Sequence, residues 1–383
     1  MKRGESKLAK IVRIVCCVLL GFTFVFSGVV KAVDPLGTTY KIQDYLEAFG
    51  PFFAQFSWMS FGLALGLITL EFVIGVNFLF SLHLRRTAFV ALGFMLVMTP
   101  LTLYLALANP VQDCGCFGDA IVLTNWQTFW KNVVLLVLVV VLLVASRCYR
   151  SIWRSVPAWI IVGVVTLAIV GFELYNYFHL PILDFRPYKV GNNIAELMSV
   201  PEDAPMDEYK TVLIYEKDGV EQEFTLENYP KDSSWHFVDQ VSTLVKRGYE
   251  APIHDFLIMN GEGDDITYDV LEREGYTFLL VAWDVNKALV RYAGRVNDVY
   301  RLALHSEVPF IGLTSSLDED VQRYSDRTGS EFAWCKMDPI TLKTIVRANP
   351  GLVLLQQGTV VGKWNARDIP SVGELQEILN NNQ

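Results

Sequence analysis

Five stretches of this chain run for the length of a membrane crossing with almost no charge. A helix needs about 20 mostly apolar residues to span the hydrocarbon core, and residues 11–33, 58–82, 88–108, 129–146 and 159–178 meet that requirement. Past residue 181 the long runs stop. "TVLIYEKDGVEQEFTLE" alternates on either side of Asp218-Gly219, a pair suited to a type I′ turn, and predicts a β-hairpin. From about Gly248 strands and helices alternate. Tyr276–Val285 is a buried strand, Asn297–Ser306 a helix, and "VPFIGLT" the next strand. A helix follows from Asp318 to about Gly329, then the short strand "FAWCKMD". The helix in "DPITLKTIVRAN" has Asp338 as N-cap and Pro339 in its first turn. "PGLVLLQQGTVVGKW" predicts two strands about Gln357-Gly358, and a last helix starts near Pro370–Ser371. The pattern predicts an α-helical membrane bundle in 1–180, a linker with a β-hairpin in 181–247, and an α/β domain in 248–383.

Charge follows the same division. The chain has 383 residues, 52% hydrophobic, and a net charge of −9. Residues 1–180 hold 13 Lys and Arg against 8 Asp and Glu, whereas residues 181–383 hold 19 against 33. An acidic second half argues against nucleic-acid binding. The basic start (Lys2, Arg3, Lys7, Lys10, Arg13) is not read as a cleaved signal, because no small-x-small site precedes a soluble region and four more spans follow. By the positive-inside rule the N-terminus, Arg85 and Arg86, and Arg147, Arg150 and Arg154 lie on the cytoplasmic side. The other two loops have no basic excess. Five spans then predict a multi-pass protein of the inner (cytoplasmic) membrane with its C-terminal domain in the periplasm.

That topology puts "DCGCFGD", Asp113 to Asp119, on the outer face, where thiols meet an oxidising compartment. Cysteines at i and i+2 close only a strained ring, which Gly115 eases. Strained disulfides suit exchange better than stapling. Asp113 and Asp119, when ionised, oppose thiolate formation. Two other readings stay open: a reduced pair packed at a turn with Gly115 and Gly118, and a metal site with both aspartates, although no histidine is near and the spacing is unfamiliar. Cys16, Cys17 and Cys148 read as small apolar residues, and Cys335 as a buried strand residue. Inside the bilayer, Glu71 stands out as an ionisable residue with no base in its own span. It is either a functional carboxyl or a hydrogen-bonding group between helices. Glu173, near the outer end of span five, has the interface within reach and weighs less. Six cysteines in all are too few for a disulfide scaffold.

The run "GFTFVFSGVVKAVDPLGTTYKIQDYLEAFG" resembles the DoxX superfamily, in its MauE-like, methylamine-utilisation branch. So do "CGCFGD" and the glutamate of span two, here Glu71. The likeness covers roughly residues 9–180. It implies four core helices, with the fifth as an addition. It also implies sulfur or thiol redox beside the membrane, with a quinone as a conceivable electron acceptor. "GYEAPIHDFLI" and "ANPGLVLLQQGTVVGKW" resemble peroxiredoxin and thioredoxin segments, Pro350 standing where that family has its cis-proline. The departure is "AWDVNKALV", which lacks the family's Cys-x-x-Cys.

Two functions follow. The first is a thiol–disulfide oxidoreductase acting through Cys114 and Cys116 on a periplasmic client or the tethered domain, with electrons passing to a quinone near Glu71. The second is a non-enzymatic assembly factor, anchored in the lipid bilayer, whose thioredoxin-like domain captures a client. A transporter comes third, because the spans hold few polar groups.

Overall fold

The computed structural model describes residues 7–111, 114–146, 153, 155–201, 203–246 and 248–380. Asp113, Cys148 and the basic residues Lys2, Arg3, Arg147, Arg150 and Arg154 lie outside the described residues. Among the described residues, five helices are long and apolar enough to cross a membrane. They are α1 (Lys7–Val33), α4 (Ser60–Leu79), α5 (Leu84–Ala108), α6 (Asn125–Ala145) and α7 (Ser155–Phe178). The segment between the first two spans, read above only as a balanced loop, folds into α2 (Pro35–Ala48) and the single turn α3 (Pro51–Ala54). Asp34 caps α2 by accepting from the Gly37 amide at 2.9 Å, with Pro35 at the first helical position. α6 opens on a capping box formed by Thr124 and Gln127. Pro100 sits inside α5, as membrane helices tolerate.

Small residues set the tightest crossing. A Cβ added at Gly75 of α4 would lie 2.5 Å from the Val25 amide of α1, and one at Gly28 would lie 2.9 Å from Phe72. Without a hydrophobic force between helices in lipid, such close backbone contact is a main source of association. It also fixes which residues of α1 face α4.

The polar half begins with α8 (Ile194–Met198), then a three-stranded antiparallel sheet of β1 (Glu208–Lys217), β2 (Val220–Thr225) and β3 (His236–Lys246), in the order β2-β1-β3. The Asp218-Gly219 turn has φ of 52° and 78°, as a type I′ turn requires. β3 extends the expected hairpin by a strand. The two ends of this sheet's segment meet, because the Gly248 amide donates to Asp207 Oδ1 at 2.7 Å and the Tyr249 amide to the Pro205 carbonyl at 2.7 Å.

The second sheet comprises β4 (Tyr276–Val281), β5 (Phe310–Thr314), β6 (Ala333–Lys336), β7 (Gly351–Gln356) and β8 (Thr359–Asn365), ordered β6-β5-β4-β7-β8. β4, β5 and β6 are parallel, and β7 and β8 antiparallel. Every residue of β4 is buried, which suits a central strand covered on both faces. Covering it are α9 (Thr267–Leu271), α10 (Ala293–His305), α11 (Asp318–Thr328), α12 (Pro339–Ile345) and α13 (Val372–Asn380). Asp338 caps α12 by accepting from the Ile340 and Thr341 amides. The Asn349–Pro350 peptide is cis. This is a thioredoxin-like domain. Cys335 is buried on β6, inside the core.

Candidate thiol site

The site is assembled from α1, α4, α6 and the loop between α5 and α6. The loop's base is held by Asn125, whose side chain donates to Asn109 Oδ1 and the Val111 carbonyl, both at 2.9 Å. Gly115 and Gly118 take φ of 60° and 52°, left-handed values that glycine reaches without steric cost, and the Gly118 amide closes a turn onto the Gly115 carbonyl at 3.0 Å. This turn folds the two cysteines toward each other. Their Sγ atoms are 3.2 Å apart, and both residues are buried, at 7% and 8% exposure. Cys114 packs with Tyr45, Leu101, Leu105 and Val111. Cys116 borders a small cavity shared with Ser27, Lys31, Glu71 and Lys131. The glycines between and after the cysteines face the other way, into a cleft below the thioredoxin-like domain.

Glu71 is not alone. It lacks a base in its own helix, but Lys31 of α1 supplies one, with Nζ 2.9 Å and 2.8 Å from the two carboxylate oxygens. Ser27, one turn before Lys31, lies 2.7 Å from Glu71 Oε2 and 2.8 Å from the Cys116 carbonyl. Its single proton serves one of these at a time, while Lys31 donates to its oxygen at 3.0 Å. The carboxylate, ammonium and hydroxyl therefore form one buried unit that touches the cysteine loop. Glu173, expected nearer the interface, is instead fully buried between α7 and α4. Thr69 donates to its Oε1 at 3.1 Å, and its Oε2 has no partner among the described residues.

The two thiols are electrostatically unlike. The hydrogen bond from Cys114 lowers the Cys116 thiol, against burial, and the charges of Lys131 and Lys31 lower it further, to a pKa of about 6. The same hydrogen bond, now with burial, raises the Cys114 thiol well above its ordinary value. The lysine charges thus favour Cys116 over Cys114 as the thiolate of the pair. The expected opposition from the aspartates is reduced on the described side. Asp119 faces Arg347 of the second domain, whose Nη2 is 3.2 Å away.

Arg347, just past α12, is 8% exposed at its side chain and also bonds Asp34 Oδ2 through Nε at 2.7 Å. It closes back on the Lys343 carbonyl at 2.6 Å and lies 5.5 Å over the Tyr40 ring. Burial pushes the Asp34 carboxyl up, but the Arg347 and Arg186 guanidinium charges, with the Arg347 and Gly37 hydrogen bonds, together hold the group below the usual carboxylate range. Beside Arg347, Trp283 meets Tyr40 edge to face at 6.4 Å, and Lys343 lies 4.9 Å over both rings. Trp283 follows β4, where the thioredoxin family carries its cysteine pair. The Asn349 side chain, next to the cis-proline, donates to the Asp284 carbonyl at 2.7 Å. The end of β4 and the cis-proline turn therefore lie on the side of the domain that faces the bundle.

Of the residues expected from sequence, Cys114, Cys116 and Glu71 come together around Ser27. Ser27, Lys31 and Asp34 were visible in the F-S-G-x-x-K-A-x-D-P-L-G pattern without an assigned role. Lys31 could have been found by asking which base an intramembrane Glu71 would need. Lys131 and Arg347 gave no signal.

Residues 9–145 match the family described as methylamine utilisation protein MauE. The membrane half is MauE-like. Residues 209–247, the segment of β1 to β3, match a Domain of unknown function (DUF8463). No curated protein matches the chain. Among solved structures, a putative protein disulfide isomerase from Bacteroides thetaiotaomicron is similar at 17% identity. It covers 33% of this chain and 86% of its own, with a TM-score of 0.26. A thioredoxin-like protein from Bacteroides caccae is similar at 11% identity, covering 85% of this chain and 83% of its own, with a TM-score of 0.23. Beside the MauE-like half, the thioredoxin-like assignment of the second rests on its own strand order.

Proposed function

We propose that this MauE-like multi-pass membrane protein is a thiol–disulfide oxidoreductase in which Cys116 is the attacking thiolate and Cys114 the resolving thiol. The supporting observation is the pair itself: two sulfurs at 3.2 Å, one of them beside Lys31 and Lys131. The Cys116 thiolate attacks one sulfur of a client disulfide. A mixed disulfide forms, and the client's other sulfur leaves as a thiolate and takes up a proton. Cys114 gives up its proton and attacks the Cys116 sulfur. The client's second thiolate leaves, and a Cys114–Cys116 disulfide remains. Two electrons have passed to the client, and the reverse sequence oxidises a client dithiol. The charge pattern of the loops supports a site on the periplasmic face of an inner membrane, with the N-terminus cytoplasmic.

A quinone as electron acceptor does not fit beside Cys116 in this conformation. The cavity there has room of about 20 Å³, enough for a water and not for a ring.

The experiment is trapping in cells. Cys114→Ser should hold a client on Cys116 as a mixed disulfide, and Cys116→Ser should trap far less. If neither variant traps a client and alkylation finds both thiols reduced with and without respiration, the reading fails. A second reading, a non-enzymatic assembly factor, is favoured by the missing Cys-x-x-Cys after β4. Full complementation of a deletion by Cys114→Ser/Cys116→Ser would establish it in place of the first.

A further inference from the structure

The sulfurs of the pair lie beneath the loop backbone, and the loop lies beneath the thioredoxin-like domain. A client therefore has no direct approach. We infer that the thioredoxin-like domain is a lid on the Cys-Gly-Cys loop and that Arg347 is its latch. This rests on the redox reading of Cys114 and Cys116 and adds to it how that pair is exposed.

Arg347 grips two separate elements of the bundle. Asp34 belongs to the start of α2, and Asp119 lies three residues past Cys116. Gly37 leaves room for the grip, since a Cβ there would come 2.6 Å from Asp34 Oδ2 and 3.1 Å from Arg347 Nη2. The rest of the contact is polar and aromatic: Tyr40, Trp283, Lys343, and the His179–Asp368 pair at 2.8 Å. Between the two faces a cleft of about 530 Å³ is left, floored by Gly115 and Gly118. The cleft opens to solvent, and polar interdomain contacts of this kind permit relative motion. The linker shows where the motion is hinged. From Asp184 onward it is fastened to the lid, through Lys363 to Asp184 at 2.6 Å and Arg186 to the Thr344 carbonyl at 3.0 Å. Residues 179–183 lie between that point and α7, and their ties to both sides, the Ile182 amide to Asn176 Oδ1 at 3.0 Å and Leu180 against the lid's core, give way when the lid lifts.

The latch ties lid and loop in both directions. When the lid lifts, Asp119 loses its partner and the loop is freed to turn its sulfurs outward. When the bond between Cys114 and Cys116 forms or breaks, the turn carrying Asp119 changes shape and the lid's hold changes with it. By linkage the two effects are equal in size.

The test uses the full chain, purified and reduced, in lipid nanodiscs. A bulky maleimide is added, and labelling of each cysteine is timed by mass spectrometry of its peptide. Limited proteolysis at residues 179–183 is followed in parallel. Arg347→Met and Asp119→Asn should each label Cys114 and Cys116 at least tenfold faster than the parent, with faster cleavage of the linker. Asp119→Asn leaves Arg347 paired with Asp34, so it stands as the test if Arg347→Met does not fold. Parent-like labelling and cleavage in Asp119→Asn, or in a folded Arg347→Met, would overturn the lid. Because labelling reads access and not turnover, faster labelling in the variants with thiols that are never oxidised in cells would uphold the lid and sink the redox reading.

Discussion

Glu71→Gln should damage the bundle more than its place in an apolar helix suggests. Lys31 and Glu71 are each 5% exposed at the side chain and meet at 2.8 Å. At an effective dielectric constant near 20, that separation corresponds to an attraction of about 6 kcal/mol. Burying the two charges costs several kcal/mol apiece, so the intact pair contributes little net stability. Removing one partner is different, because the other is left charged and enclosed, at a cost of about 3–5 kcal/mol. Ser27 cannot offset this, since its oxygen already accepts from Lys31. The double variant Lys31→Met/Glu71→Gln leaves no stranded charge and should return to within about 1–2 kcal/mol of the parent. Unfolding of the parent, Glu71→Gln, Lys31→Met and the double variant in mixed micelles, titrated with a denaturing detergent and followed by tryptophan fluorescence, gives the four free energies. A Glu71→Gln loss below about 0.5 kcal/mol, well under the range for a broken buried pair, would refute the reasoning. So would a double variant whose loss equals the sum of the two single losses, since coupled neighbours are not additive.

Two other outcomes are expected. Iodoacetamide should react with Cys116 at a rate that falls as the pH drops through about 6, since the thiolate is the reacting form. Lys131→Met should move that midpoint upward, and a parent midpoint near the ordinary thiol value of about 8.5, or one that does not move in the variant, would count against the charge arrangement. Gly75→Ala forces a Cβ to 2.5 Å from the Val25 amide and should destabilise by about 1–3 kcal/mol, whereas Gly62→Ala on the same helix meets nothing within 4 Å and should not. Equal effects of the two substitutions in the micelle titration would remove the close crossing of α1 and α4 as a determinant.

Much of this was legible in the sequence because it is local. Apolar runs announce spans, Asp218-Gly219 announces a turn, and Asp338-Pro339 announces the start of α12. The α2 helix was not legible, since "PLGTTYKIQDYLEA" has weak helical periodicity, and its order comes from the Asp34 cap and packing on α4 and α7. The site was half legible. Cys114 and Cys116 are neighbours in the chain, and Glu71 is conspicuous by its charge. Their partners depend on how elements far apart in sequence are laid against one another. Lys31 is 40 residues from Glu71, and Arg347 is 228 from Asp119. No spacing rule encodes either pairing. The lysines were missed for the same reason: only carboxylates are near the cysteines in sequence, whereas the ammonium groups of Lys31 and Lys131 are near Cys116 in space.

The sheet formed by β1, β2 and β3 leaves and rejoins the chain at one point, where Gly248 and Tyr249 bond back to Asp207 and Pro205. A segment with coincident ends hangs as an appendage. It can be exchanged, shortened or excised without re-threading the bundle, the latch or the sheet of the lid.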